Sequence, residues 1–150
     1  MRLSNDKVMI VPFEPQLHAP LLYRCCHSGK YDLPLLSITE CMNLKEAFAI
    51  VNPTNPSEVY GVVVLRNKDE ISRRCEVHVF IIEEYQKNGI IQEAGKFMIY
   101  YIMNCMNYYK VIMQAREDNT AADTAIKNFG CELEGVLKHH LYSNGEFHNL

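Results

Sequence analysis

The chain has 150 residues, 48% of them hydrophobic and 22% charged, with a formal net charge of −3 at pH 7. This length fits one domain with its own core, and the composition is that of a folded globular protein. No cluster of Lys and Arg stands out, which speaks against nucleic acid as a partner, and no apolar run approaches the roughly 20 residues that a membrane span needs.

Six cysteines, at positions 25, 26, 41, 75, 105 and 131, form no C-x-x-C pair and no regular framework. They read as buried thiols of a reducing compartment. The segment from Met1 to Asp6 is polar and lacks a signal-peptide core, so the expected location is cytoplasmic.

The β-branched run from Lys7 to Phe13 predicts a first strand, closed by Pro12 and Pro15. Gln16 to His27 predicts a helix with Leu17, Leu21, Leu22 and Cys25 or Cys26 on one face, provided that Pro20 sits in its first turn. Ser28-Gly29-Lys30 is a break. Ser37 to Leu44 predicts a short helix, Ser37 capping it with Glu40 three residues on. Strands are expected at 46–51, 59–66 and 74–82, with polar turns at 52–57 and 67–70. In the last of these strands Glu76, His78 and Phe80 share one face, and Val77, Val79 and Ile81 the other.

The second half alternates helix and strand. Ile91, Ala94, Met98, Tyr101, Ile102 and Cys105 recur at helical spacing in a long amphipathic helix from Gly89 to Cys105. A buried strand follows at 111–115. A helix over 119–129 is capped by Asp118 or Asn119 and ended by Gly130. The run 133–142, Asn144-Gly145 and 146–149 predict a hairpin. The order implies one α/β domain over residues 1–150. It has a central mixed, mostly antiparallel sheet of six to seven strands with helices on both faces. Strands 8–12, 46–51, 59–66, 74–82, 111–115 and 133–142 are expected in that one sheet.

The chemistry-bearing stretch runs from Glu76 to Ile91, where a strand ends, a Gly-bearing loop follows and a helix begins. Free N–H groups and a positive dipole end at such a helix start suit a pyrophosphate. Gln86 and Gly89 match the cofactor loop Arg/Gln-x-x-Gly-x-Gly/Ala of a known family. Asn119, Ala122 and Gly130 match its fourth helix, Glu134, Gly135 and Lys138 the strand after it, and Glu76 its strand glutamate nine residues before the loop Tyr85. In order and spacing, residues 74 to 148 resemble the GNAT superfamily of N-acetyltransferases, and within it the branch that acetylates ribosomal-protein N-termini. The chain departs from the pattern at Lys87, where Gly is usual. It departs again at Ile91, where a small residue is usual and a branched side chain would crowd the phosphates. A third departure is Ile126, where many members carry a proton-donating Tyr.

The resemblance implies acetyl-CoA in a V-shaped gap between the strands at 74–82 and 111–115. The backbone of Gln86, Lys87, Asn88, Gly89, Ile90 and Ile91 would hold the pyrophosphate. Glu76 would act through water as general base on an unidentified primary amine, and Asn119 would place the pantetheine arm or the acceptor. The alternative expectation is a catalytically silent GNAT fold serving as a structural or assembly component. Short phage-encoded GNAT-like proteins, some of them particle components, are similar in size and share the Glu-x-His strand, so a phage virion is the example. The aromatics Phe97, Tyr100, Tyr101, Tyr108 and Tyr109 and a short final strand favour a homo-oligomer or a larger assembly. His78 reads as a core histidine, Cys131 as a small buried hydrophobe, and His139-His140 as neighbours on opposite faces rather than metal ligands.

Overall fold

The computed structural model describes residues 3–27 and 37–150. The break expected at 28–30 lies outside them. In chain order the strands are β1 (Leu3–Ser4), β2 (Met9–Pro12), β3 (Ala47–Val51), β4 (Val59–Asp69), β5 (Arg74–Ile81), β6 (Lys110–Ile112), β7 (Leu141–Ser143) and β8 (Glu146–His148). The helices are α1 (Pro15–Cys26), α2 (Ile38–Met42), α3 (Ile90–Tyr100) and α4 (Thr120–Asn128). Strands β1 to β6 form one sheet in sequence order, every neighbour pair antiparallel except β5–β6, which is parallel. A parallel pair needs a crossover, and α3 supplies it.

Period-two alternation in β4 and β5 divides the interior between two faces. Val63, Leu65, Cys75, Val77 and Ile81 pack with Ile90, Ala94, Met98 and Ile102 of the crossover helix. Val62, Val64 and Phe80 point the other way and pack with Ala19, Leu22, Cys26 and Cys41 from α1 and α2. The mixed sheet with helices on both faces is therefore the architecture expected from the sequence.

Local chemistry explains three helix ends. Ser37 and Glu40 form the predicted capping box, with Glu40 N donating to Ser37 Oγ at 3.1 Å and Ser37 N to Glu40 Oε2 at 2.7 Å. The helix from residue 90 is α-helical to Tyr100 and closes in a π-helical turn over Tyr101–Cys105, where Met106 N reaches back to the Tyr101 carbonyl. α4 ends in a left-handed Gly130: Gly130 N donates to the Lys127 carbonyl and Cys131 N to that of Ile126, the paired bonds of a Schellman cap.

Four expectations need correction. α1 begins at Pro15, so Pro20 lies in its second turn; both Pro20 and Gln16 are exposed, and water can take the carbonyl that the proline ring cannot serve. β4 runs on to Asp69 through a register shift after Arg66, so the turn falls at 70–73 instead of 67–70. β6 stops at Ile112 rather than 115. Residues 133–140 are not a strand of the sheet: they are exposed, Leu133 by 81%, and offer no buried alternating face. The Asn144-Gly145 hairpin forms as predicted, both residues left-handed, but among the described residues β7 and β8 pair only with each other. Beyond a left-handed His139 the pairing resumes, Leu137 and Leu150 exchanging backbone bonds of 2.7 and 3.0 Å.

Gly61 sits where β4 meets β5, and a Cβ there would collide with the Phe80 carbonyl oxygen. Gly61→Ala is expected to destabilise the protein by roughly 3 kcal/mol, the upper range for overpacking. Gly135→Ala, whose new Cβ meets nothing within 4 Å, is the control. Urea denaturation checks this; equal midpoints for the two variants would refute the close-approach assignment.

Candidate active site

β5 and β6 are joined by only three residue pairs, Arg74–Lys110, Cys75–Val111 and Glu76–Ile112. The joined end is fastened from outside the ladder. Arg73 donates through Nε to the Asn107 carbonyl at 2.8 Å and through Nη2 to its Oδ1 at 2.7 Å. The buried Tyr108 hydroxyl donates to Glu70 at 2.5 Å. Beyond Glu76, β5 continues beside β4 to Ile81, while the chain after Ile112 leaves the ladder toward α4. Residues 77–81 thus have no strand on that side among the described residues. At about 3.3 Å per residue the open edge from Glu76 to Ile81 is roughly 17 Å long.

The loop at the open end is held by its own side chains. Glu83–Tyr85 make one 3₁₀ turn. Tyr85 packs its ring 4.7 Å from Tyr60 and donates its hydroxyl to Glu58 at 3.0 Å, and Asn52 donates to the other Glu58 oxygen at 2.7 Å. Gln86 Nε2 donates to the Ile81 carbonyl at 3.0 Å, folding the loop back over the strand end. Lys87 adopts φ 67°, the left-handed conformation that explains why Gly is usual at this position. Gly89, also left-handed at φ 73°, precedes α3 without any side-chain cap, so the first N–H groups of the helix gain no acceptor from their N-cap residue. Among the described residues, a Cβ on Gly89 would find only the Lys7 Nζ, 4.0 Å away. Ile90 is buried and Ile91 packs against the same core beneath α3, which accounts for its branched side chain. Asn88 is exposed.

Glu76 lies at the apex of the gap on the face covered by α1 and α2. Its Oε2 accepts from Asn67 Nδ2 at 2.8 Å and faces His78 Nε2 at 3.4 Å. Arg66 is its register partner across β4. The His78 side chain is 9% exposed, and burial lowers its pKa against an opposing pull from Glu76, so the ring is neutral at pH 7. Asn119 is the N-cap of α4, the helix that follows β6, its Oδ1 accepting from Ala122 N at 3.1 Å. The structure thus brings Glu76 and the loop onto one strand and its exit, and puts Asn119 at the start of the helix that follows β6. Ile126 is half-buried. Burial raises the Cys131 pKa, which keeps its thiol protonated. His139 lines an open cleft of about 450 Å³ with Glu117, Asp118 and His148. No group of three metal-ligating side chains occurs among the described residues.

Sequence reasoning missed Asn67, the Tyr85–Glu58–Asn52 clamp and Lys7. Asn67 had a usable signal, since a turn polar residue just past the register partner of Glu76 falls beside it. Lys7 had none, because only the folded sheet brings the β1–β2 turn next to Gly89.

The family model of the acetyltransferase (GNAT) domain matches residues 35–132. Spermidine N(1)-acetyltransferase of Escherichia coli (strain K12) is 30% identical over 92 residues, 61% of this chain and 50% of that protein. The uncharacterized N-acetyltransferase YoaA of Bacillus subtilis (strain 168) is 26% identical over 88 residues, 59% of this chain and 50% of that protein. The matches thus span about half the length of these curated relatives. Among solved structures, spermidine N-acetyltransferase from Vibrio cholerae in complex with CoA and spermine superposes with a TM-score of 0.83 at 18% identity, over 97% of this chain and 92% of that one. The ribosomal L7/L12 alpha-N-protein acetyltransferase RimL, in complex with coenzyme A, gives 0.80 at 17% identity, over 99% and 94%. No helix among the described residues is long and apolar enough to cross a membrane. With its six-stranded sheet parting beside an uncapped helix start, and a family match over most of its length, this chain belongs to the GNAT acetyltransferase family.

Proposed function

We propose that the chain is an acetyl-CoA-dependent N-acetyltransferase acting on a primary amine. The observation that carries this reading is the parting of β5 and β6 directly beyond Glu76, with the uncapped start of α3 at the open end. Family membership supports the reaction class. The relatives named for spermidine and for a protein N-terminus support an amine as acceptor.

The loop fits a pyrophosphate on three counts. Its helix-start N–H groups have no side-chain cap, open space lies where a Gly89 Cβ would be, and the Lys7 ammonium borders that space. The backbone of Gln86, Lys87, Asn88, Gly89, Ile90 and Ile91 would bind the phosphates, with Gln86 and Tyr85 keeping the loop in shape. The edge of β5 beyond Glu76, which has no neighbouring strand among the described residues, would take an extended arm by strand-like hydrogen bonds. Bound acetyl-CoA would supply the thioester carbonyl for attack.

An amine attacks only as the free base, so a proton must be removed. Glu76 would accept it, through water, at the apex of the gap. Asn119 would line the opposite wall. Ile126 offers no proton to the departing thiolate, and an ordinary thiol pKa of about 8.5 makes that omission tolerable.

Turnover with acetyl-CoA against spermidine and against an N-terminal peptide tests the reading; release of CoA with neither substrate would contradict it. Gly89→Val should abolish the stabilisation that acetyl-CoA gives in a thermal-shift measurement, because a branched residue is strained at positive φ and its Cβ intrudes where phosphates approach. Undiminished binding would remove the loop assignment. Glu76→Gln should lower kcat by roughly 10²- to 10⁴-fold at unchanged acetyl-CoA affinity. An unchanged rate would leave Glu76 a structural residue.

A further inference from the structure

His78 is a buried polar side chain whose Nε2 atom has no hydrogen-bond partner among the described residues. Buried polar atoms in folded proteins are nearly always satisfied, so an orphan calls for a cause. Its nearest counterpart is Glu76 Oε2 at 3.4 Å, on the same strand face two residues earlier. That separation is long for a hydrogen bond, and a small turn of the carboxylate, whose side chain is 20% exposed, would close it. Asn67 already donates to the same oxygen at 2.8 Å. The two donors converge on Oε2, and no partner for Oε1 is found among the described residues.

We propose that His78 is a positioning residue for Glu76: its Nε2–H and the Asn67 amide grip Oε2, leaving Oε1 as the atom that receives the amine proton. This inference rests on the reading of Glu76 as the general base. Two donors on one carboxylate oxygen restrict rotation of the group and stabilise its anion. The ring itself carries no proton away. As a neutral imidazole it can donate from Nε2 only in the Nε2–H tautomer, so one tautomer is specified. The other groups bearing on the pair are Arg66, opposite Glu76 on β4, and Glu40 of α2, which senses Arg66. The thiols Cys26 and Cys41 share the core on that face, and burial raises the Cys41 pKa and keeps it neutral.

A purely structural His78 predicts a different outcome from a positioning one. Replacing an unsatisfied buried ring by Met would leave kcat unchanged and stability equal or higher. A positioning His78 predicts that His78→Met lowers kcat about tenfold or more, the usual worth of a hydrogen bond to a charged group, with the acetyl-CoA KM unchanged. Loss of a donor destabilises the carboxylate anion, so the acid limb of the kcat profile moves to higher pH. His78→Gln, whose amide nitrogen reaches toward the Nε2 position, should restore most of the rate and return the limb. An unmoved acid limb in active His78→Met would overturn the inference. A second measurement needs no turnover: long-range ¹H–¹⁵N spectra of the histidine-labelled protein should show the Nε2–H tautomer for His78, with its resonance shifted in Glu76→Gln. An Nδ1–H tautomer would overturn the inference even in an active enzyme. Absence of turnover in the wild type would instead count against Glu76 as base, so the two failures are distinct.

Discussion

Three residue pairs hold β5 to β6, and what the site offers depends on there being no fourth. β5 cannot follow β6 away, because its own length is tied antiparallel to β4 from Glu76 to Ile81. β6 cannot follow β5, because its entry is fixed by Arg73 and Tyr108 and its exit turns into the Asn119 cap of α4. Two locally well-satisfied paths therefore diverge, leaving the β5 edge beyond Glu76 without a neighbouring strand among the described residues. An open edge is a liability in most sheets, and a ligand that pairs with it converts the liability into affinity.

The electrostatics of the site are local. A chain of net charge −3 has no overall field to draw an anion in. The loop instead concentrates fixed dipoles at the start of α3, with the Lys7 ammonium at its edge. At the other end of the gap the sign reverses: Glu76 brings a carboxylate, tempered by Asn67, His78 and Arg66. A long substrate with an anionic head and an amine-directed tail would meet each charge in the right order.

Much of this was legible in the sequence because it is written in short-range rules. The alternation of Val62 to Leu65, the capping box at Ser37, Gly130 after α4 and the Asn144-Gly145 turn depend on residues within a few positions of one another. The loop and Glu76 enter as candidate site residues through the spacing of a family resemblance. What stayed hidden depends on contacts distant in sequence. Lys7 comes near Gly89 across the sheet, Glu58 clamps Tyr85, and β6 ends at Ile112 where the chain leaves for α4. Residues 133–140 carry Leu133, Val136 and Leu137, enough apolar character to suggest a sheet strand, yet all three stand exposed. The branched Ile91 suggested crowding of the phosphates; only the fold shows that side chain committed to the core beneath α3.

The central claim is that the gap beside β5 and the loop at its head form one cofactor site. Amide hydrogen exchange, followed by mass spectrometry with and without CoA, reads both at once. The account predicts slowed exchange at 77–81 and 86–91 together, with the β7–β8 hairpin unaffected. Slowing confined to the hairpin, or none at either segment under saturating CoA, would contradict it.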